Sequence, residues 1–281
     1  QRQMCIRDSR YWGVVLWMQR DWDKAHNRGK KALELARKAG AQQLVGDTFR
    51  LLGIIAKDQK KLEESIQYMQ EALAISRKLG DRIGESTNLN NLGLAYTNLF
   101  KIDQALMYYQ TGLALSREIG YNEDEGLLLS NIGATYSQTG MYAKARAAYE
   151  QALPINRQIK NYRIVGDATW GLGLIACFVE NDYPKAISYF NEGLSAARNL
   201  GDRLFESGFL WMLASSQMGL ENWTEAERLL KASSEVELII EPPIRMKSIW
   251  SSFAKIYLAK GKCMQAIQQV DQVIELSLIH I

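Results

Sequence analysis

The sequence has few prolines, cysteines and histidines, and each shortage excludes a class of protein. Four prolines in 281 residues leave little room for an all-β or linker-rich design. Three cysteines make no disulfide framework, which favours a reducing compartment and predicts a cytoplasmic protein. Two histidines cannot build a His/Cys metal cluster, so we predict neither a metal site nor a cofactor.

The sequence also lacks a large excess of one charge, and it lacks long apolar runs. The chain has 34 Lys and Arg against 31 Asp and Glu, and these charges are spread along its length, which argues against a nucleic-acid partner. The longest apolar stretch, residues 12–18, falls far short of the roughly 20 residues of a membrane-spanning helix, so no membrane span is predicted. A hydrophobic content of 47% is enough for a sizeable core, and a mostly helical chain is predicted.

The two ends of the sequence read as translated DNA of artificial origin. Residues 276–281 are what the word CTG TCT CTT ATA CAC ATC encodes, and its reverse complement encodes residues 4–9. This word resembles the transposase recognition end used to prepare sequencing libraries. We therefore predict that residues 1–9 and 276–281 derive from a sequencing adapter. Residues 10–275 are then a natural fragment of a longer gene, with its first and last repeats truncated.

A forty-residue repeat organises the rest of the chain. Its first marker is a small residue at 40-residue spacing, with one extra residue after the fifth: Gly13, Gly53, Gly93, Gly133, Gly173, Ala214 and Ala254. Its second marker follows twelve residues later, or thirteen in the fifth repeat: Ala25, Ser65, Ala105, Ala145, Ala186, Ala226 and Ala266. The spacing predicts that the extra residue lies in the turn at residues 180–184.

Each unit reads as two amphipathic helices. Leu89, Leu92 and Tyr96 share one face of a first helix, and Ala105, Tyr109 and Leu113 share one face of a second. Glycine inside a helix costs about 1 kcal/mol relative to alanine, so its recurrence at the first marker predicts a close approach of the two helices. Most second helices end in Arg-x-x-Gly, which suits a left-handed cap, and an aspartate such as Asp81 or Asp202 can cap the next first helix.

These residues resemble the tetratricopeptide repeat family. Residues 91–96 read Asn-Leu-Gly-Leu-Ala-Tyr and residues 131–136 read Asn-Ile-Gly-Ala-Thr-Tyr, which match the family pattern Leu-Gly-x-x-Tyr. The forty-residue period is similar to the longer-helix branch found in LGN (Pins), kinesin light chains and bacterial signalling regulators. The resemblance spans residues 10–275. It implies an all-α fold, a right-handed α-α superhelix or solenoid of about seven antiparallel helix pairs.

The resemblance also implies a concave groove lined by the first helices, in which a peptide or protein segment binds. The residues of this sequence at the family's groove positions that we select as peptide-binding candidates are Arg50, Lys57, Asn90, Asn91, Asn98, Asn131, Gln138, Trp170 and Trp211. The amides suit the main chain of an extended peptide, and the cations suit acidic residues. Trp170 and Trp211, with Phe178 and Met212, are predicted to form an aromatic shelf, although inter-repeat packing is an equal alternative for the two tryptophans.

The leading functional hypothesis is a protein–protein interaction scaffold. The alternative is a sensor or regulatory arm of a larger bacterial signalling protein, such as an NTPase, kinase or transcription regulator. No catalytic residues are predicted, because the sequence offers neither a phosphate-binding loop nor a Ser/His/Asp set. Self-association through uncapped ends is a further expectation, because a repeat array without capping units exposes apolar edges.

Overall fold

The computed structural model of the chain describes residues 11–239 and 245–279, with side-chain surroundings up to residue 273. Within these ranges the chain forms helices and no strand. The predicted adapter residues 1–9 lie outside the described part, and of residues 276–281 only the helical backbone up to Ile279 lies inside it.

The helices alternate between a first and a second helix of each repeat. The first helices are α1 (residues 11–18), α3 (Gln42–Asp58), α5 (Arg82–Asn98), α7 (Asn122–Gln138), α9 (Tyr162–Leu174), α11 (Arg203–Gly219) and α13 (Met246–Ala259). The second helices are α2 (Trp22–Lys38), α4 (Leu62–Leu79), α6 (Ile102–Ile119), α8 (Tyr142–Gln158), α10 (Tyr183–Leu200), α12 (Trp223–Glu237) and α14 (Cys263–Ile279).

The chain divides into two units, one ending at Thr135 and the other beginning at Tyr136, both within α7. In the first unit, each of helices α2 to α5 packs against the next helix along the chain. In the second unit, each of helices α8 to α13 packs against the next one. Successive antiparallel packing is the architecture of a tetratricopeptide-type solenoid, so the predicted all-α fold class is confirmed.

The recurring glycine lets a large side chain of the second helix lie against the first. A Cβ at Gly93 would overlap the ring of Tyr109, and one at Gly53 would lie 2.8 Å from Cγ of Met69. Gly173 stands in the same relation to Phe190. The predicted close approach is confirmed, because Tyr109, Met69 and Phe190 are all fully buried.

The extra residue of the fifth repeat lies inside a helix. After α9 the chain continues into a π-helical turn, Ile175–Val179. The turn that follows is like the others, because its positive-φ residue, Asn181, precedes the small marker Ala186 by five residues, as Lys60 precedes Ser65. The prediction that the turn at 180–184 holds the insertion is therefore wrong. A π-turn absorbs one residue while helical hydrogen bonding continues.

The predicted caps between repeats are confirmed. Gly80 and Gly120 adopt left-handed φ angles of 68° and 67° at the ends of α4 and α6. Asp81 accepts a hydrogen bond from the backbone N–H of Gly84 at 2.9 Å, and Asp202 accepts one from Phe205 at 2.9 Å. Each repeat boundary is thus fixed locally, which sets the register in which successive first helices lie side by side.

One segment of the described residues, Tyr162–Val179, is long and apolar enough to cross a membrane by length and composition. At 18 residues, this segment is longer than the apolar stretch at residues 12–18. Since 61% of it is buried inside the protein, and core helices pass the same test, it carries no argument for a membrane span.

Candidate functional site

The candidate site is the surface formed by the first helices, here called the first-helix face and described for each unit separately. In the first unit it lies on α3, α5 and the part of α7 up to Thr135. Six of the predicted residues belong there: Arg50, Lys57, Asn90, Asn91, Asn98 and Asn131. In the second unit the predicted residues are Gln138, Trp170 and Trp211.

Two predicted asparagines of the first unit bond to each other. The amide Nδ2 of Asn131 donates to Oδ1 of Asn90 at 2.7 Å, which joins α7 to α5. Asn90 is only 3% exposed, so it holds Asn131 in place, in contrast to the expectation that it faces the groove. Asn91 is half-buried, and its side chain has no hydrogen-bond partner within the described residues. Asn91 and the remaining groups of the Asn131 amide can therefore meet a ligand.

The two predicted cations of the first unit already have acidic neighbours on their own helix. Arg50 pairs with Asp47 at 2.6 Å, and Lys57 lies 3.6 Å from Asp58. The indole N–H of Trp17 also donates to Asp58, at 2.7 Å. An acidic ligand would have to compete with these carboxylates, which weakens the predicted role of Arg50 and Lys57. Asn98, at the end of α5, is exposed.

Asp124 is a polar residue of this region that the sequence analysis missed. It lies at the start of α7, is 6% exposed, and accepts a hydrogen bond from the hydroxyl of Thr87 at 3.2 Å. Burial raises the pKa of the Asp124 carboxyl, and hydrogen bonds from Ser86 and Thr87 oppose that rise. Together with Asp47 on α3, Asp124 gives the first unit carboxylate oxygens that suit N–H donors of a ligand.

The two predicted tryptophans of the second unit are half-buried between repeats. The Trp170 ring centroid lies 5.9 Å from that of Phe205 and 5.2 Å from that of Phe209, both on α11. The indole N–H of Trp211 donates to the Ser252 hydroxyl on α13 at 3.1 Å. Both tryptophans therefore pack at a seam and also expose part of their rings.

The predicted aromatic shelf is only partly formed. Met212 is 3% exposed and belongs to the core, so its predicted place on the shelf is wrong. Phe178 is 61% exposed, in the π-helical turn after α9. Gln138, at the end of α7, is exposed. Arg245, which was not predicted, lies at the N-terminus of α13 near Trp170.

Residues that carry reactive chemistry are scattered. Within residues 11–239 and 245–273, no group of three or more His, Cys, Asp and Glu could hold a metal ion. The side chain of His26 is only 12% exposed, and burial is the main cause that lowers its pKa. Cys177 is buried, and Cys263 is exposed.

Comparison with solved structures places the fold. A signal-transduction ATPase with a tetratricopeptide repeat sensor from Pyrococcus horikoshii superposes with a TM-score of 0.78 at 16% identity, over 94% of this chain and 40% of that one. BtubC from P. vanneervenii gives 0.70 at 16% identity, over 79% and 92%. A Rap protein complexed with competence and sporulation factor gives 0.67 at 15%, over 99% and 76%. At these identities the likeness shows the fold alone.

The family assignment comes from the sequence. No curated protein matches this chain in a sequence comparison. The family profile of the tetratricopeptide repeat matches residues 44–118, 85–158 and 124–199, which together span more than half of the chain. The chain therefore belongs to the tetratricopeptide repeat family.

Proposed function

We propose that this chain is a protein–protein interaction scaffold that binds an extended peptide or protein segment on its first-helix face. The observation that carries this proposal is the Asn90–Asn131 hydrogen bond, which holds a side-chain amide on that face. One of the structural neighbours is a Rap protein complexed with competence and sporulation factor. The proposal requires no cofactor and no catalytic residue. We also propose a cytoplasmic location, which the small number of cysteines supports.

An extended peptide binds largely through its main chain. Its main-chain N–H and C=O groups lose water on binding and need partners that both donate and accept. The amides of Asn91 and Asn131 offer both functions. Because Asn90 already holds Asn131, less side-chain entropy is lost when a ligand binds there. Such contacts read the main chain and leave the choice of partner to other residues.

We expect the double variant Asn91→Ala/Asn131→Ala to bind a peptide more weakly while remaining helical. Each lost hydrogen bond is worth about 0.5 to 1.5 kcal/mol, so the dissociation constant should rise roughly 5- to 150-fold. The probe is a fluorescent peptide selected on the chain from a displayed random library, titrated by anisotropy, with circular dichroism as the check on helicity.

The matched control is Asn191→Ala/Asn199→Ala, which removes two exposed asparagines from the second helix α10. Its affinity should equal that of the parent chain. Asn91→Ala alone breaks no hydrogen bond within the described residues, so it separates ligand binding from the link between α5 and α7. An unchanged affinity in the double variant would show that the two amides do not take part in binding.

A regulatory arm of a larger signalling protein is the second candidate function. The observation in its favour is the likeness to the signal-transduction ATPase. The superposition covers 94% of this chain but only 40% of the ATPase. Sequencing the genomic DNA on both sides of residues 10–275 tests it. An NTPase, kinase or DNA-binding domain in the same reading frame supports the proposal, and stop codons on both sides contradict it.

We also propose that the chain self-associates. Some apolar side chains near its ends are exposed, whereas the residues at the same repeat positions in other repeats are buried. Val270 is 46% exposed, whereas Leu230, at the same register, is fully buried. Trp12 is 56% exposed, whereas Leu52 at its register is fully buried. We expect sedimentation velocity to show an average mass that rises with concentration, and Val270→Lys to reduce that rise because a charge opposes apolar contact. A constant monomer mass would contradict the proposal.

A further inference from the structure

An arginine of the second unit lies across the backbone of the neighbouring first helix. Arg245 stands at the N-terminus of α13, and its Nη1 donates to the carbonyl oxygen of Leu204 at 2.8 Å. Its Nη2 lies 3.2 Å from the point where a Cβ of Gly208 would be. Atom Cζ3 of the Trp170 ring lies 3.1 Å from that same point. Glycine at 208 therefore allows a guanidinium and an indole edge to lie side by side.

The guanidinium of Arg245 lacks an acidic partner within the described residues, unlike other arginines of this unit. Arg163 pairs with Asp202 at 2.9 Å, and Arg198 pairs with Glu206 at 2.8 Å. The carboxylate of Glu237 is fully buried and accepts from the backbone N–H of Arg245. A guanidinium has five N–H donors, and one is used on a carbonyl, so donors remain for a planar anion.

The same register carries the opposite charge in the first unit. Arg245 and Asp124 both stand nine residues before the first marker of their repeats. Asp124 accepts a hydrogen bond from Thr87, and Thr87 is at the register of Gly208. In the second unit the small residue and the cation replace this pair. The first-helix face of the second unit is thus suited to a ligand of different charge.

A second cation lies further along the same helix. Lys255 is exposed, and it makes no ion pair within the described residues. Ten residues separate it from Arg245, about 15 Å along a helix, and the helical period leaves the two positions about 80° apart around the axis of α13, within one quarter of its circumference. Ser248 and Ser252 fall between them on that side. An anionic segment lying along α13 would therefore meet a cation at each end.

We infer that the surface formed by Trp170, Gly208, Arg245 and Lys255 binds an acidic peptide segment. A carboxylate side chain accepts from the free donors of Arg245, and an apolar side chain next to it packs on the exposed part of Trp170. A second acidic residue farther along the peptide lies within reach of Lys255. This inference rests on the proposed peptide-binding function and specifies which peptides the second unit selects.

The experiment uses the full chain and a displayed library of random 12-residue peptides. The selected peptides are expected to carry Asp or Glu next to Leu, Phe or Trp. One selected peptide is then synthesised in two forms, with Glu or with Gln at the acidic position. A hydrogen bond to a charged group typically makes a difference of roughly 10- to 100-fold in affinity, so the parent chain should prefer the Glu peptide by about that factor.

Arg245→Gln should bind both peptides equally, and Arg245→Lys should keep part of the preference because it keeps the charge without the planar fork. The matched control is Arg228→Gln, an exposed arginine on the second helix α12 that pairs with Glu225. It should keep the full preference, and thermal melting confirms that each variant folds.

The possible failures are distinguishable. Equal binding of the Glu and Gln peptides by the parent chain, or an equal loss of preference in Arg228→Gln, overturns this inference and leaves peptide binding intact. A library from which the chain enriches no peptide overturns the proposed function, and this inference with it. Peptides that bind only the first unit, and are indifferent to Arg245→Gln, overturn the inference alone.

Discussion

Replacing Gly93 with leucine is expected to lower the free energy of unfolding by about 1 to 3 kcal/mol. The reason is steric, because even a Cβ at this position would overlap the ring of Tyr109, which is fully buried. The ring would have to leave its position or the two helices would have to separate, and either change loosens the repeat. Urea unfolding followed by circular dichroism measures the loss.

A double-mutant cycle with Tyr109→Ala tests the cause. If the glycine exists to make room for the tyrosine, then Gly93→Leu should cost less in the Tyr109→Ala background than in the parent chain. Additive effects of the two substitutions, or no change in the midpoint for Gly93→Leu alone, would show that the glycine has another role.

The chain is expected to lose stability steeply above pH 10 because of two buried tyrosines. Burial raises the pKa of Tyr109, and separately that of Tyr149, from 10.0 to about 12. The two residues occupy the same register of their repeats, one in each unit. Between pH 10 and 12 the unfolded chain ionises these hydroxyls while the folded chain keeps them neutral. The free energy of unfolding is therefore intact below pH 10 and falls by about 2 kcal/mol per tyrosine by pH 12.

Tyr109→Phe isolates this contribution, because phenylalanine keeps the ring and removes the ionisable group. Its unfolding free energy, measured in urea from pH 9 to pH 12, should fall less steeply than that of the parent chain. Tyr142→Phe, at a tyrosine 41% exposed, is the control and should leave the slope unchanged. If the parent and Tyr109→Phe lose stability with equal slopes, the hydroxyl of Tyr109 does not control alkaline unfolding.

The sequence was sufficient to predict the repeat because its markers are local and periodic. A glycine at one register and a large side chain sixteen residues later, as with Gly93 and Tyr109, must meet if the chain folds into helical pairs. The left-handed glycines and the aspartate caps depend only on neighbouring residues, so they followed from sequence as well. The insertion was misplaced because marker spacing shows only that a residue was added between Gly173 and Ala186.

The candidate site was less predictable, because it depends on contacts between repeats. Asn90 and Asn91 are adjacent in sequence, and only the packing of α5 against α7 decides that Asn90 is buried and bonds Asn131. From the sequence Arg50 is predicted to be a free cation, but in the structure it pairs with Asp47, one turn earlier on the same helix. Arg245 was missed because it lies one turn before the groove positions that the family pattern supplies.

The most direct test of the central claim is to locate a bound peptide by photocrosslinking. A peptide selected from the library carries a photoreactive phenylalanine, and mass spectrometry identifies the residues to which it attaches. We predict attachment to first helices, α5 and α7 in the first unit or α11 and α13 in the second. Attachment confined to second helices, such as α4, α6, α10 and α12, would contradict the proposal that the first-helix face binds the partner.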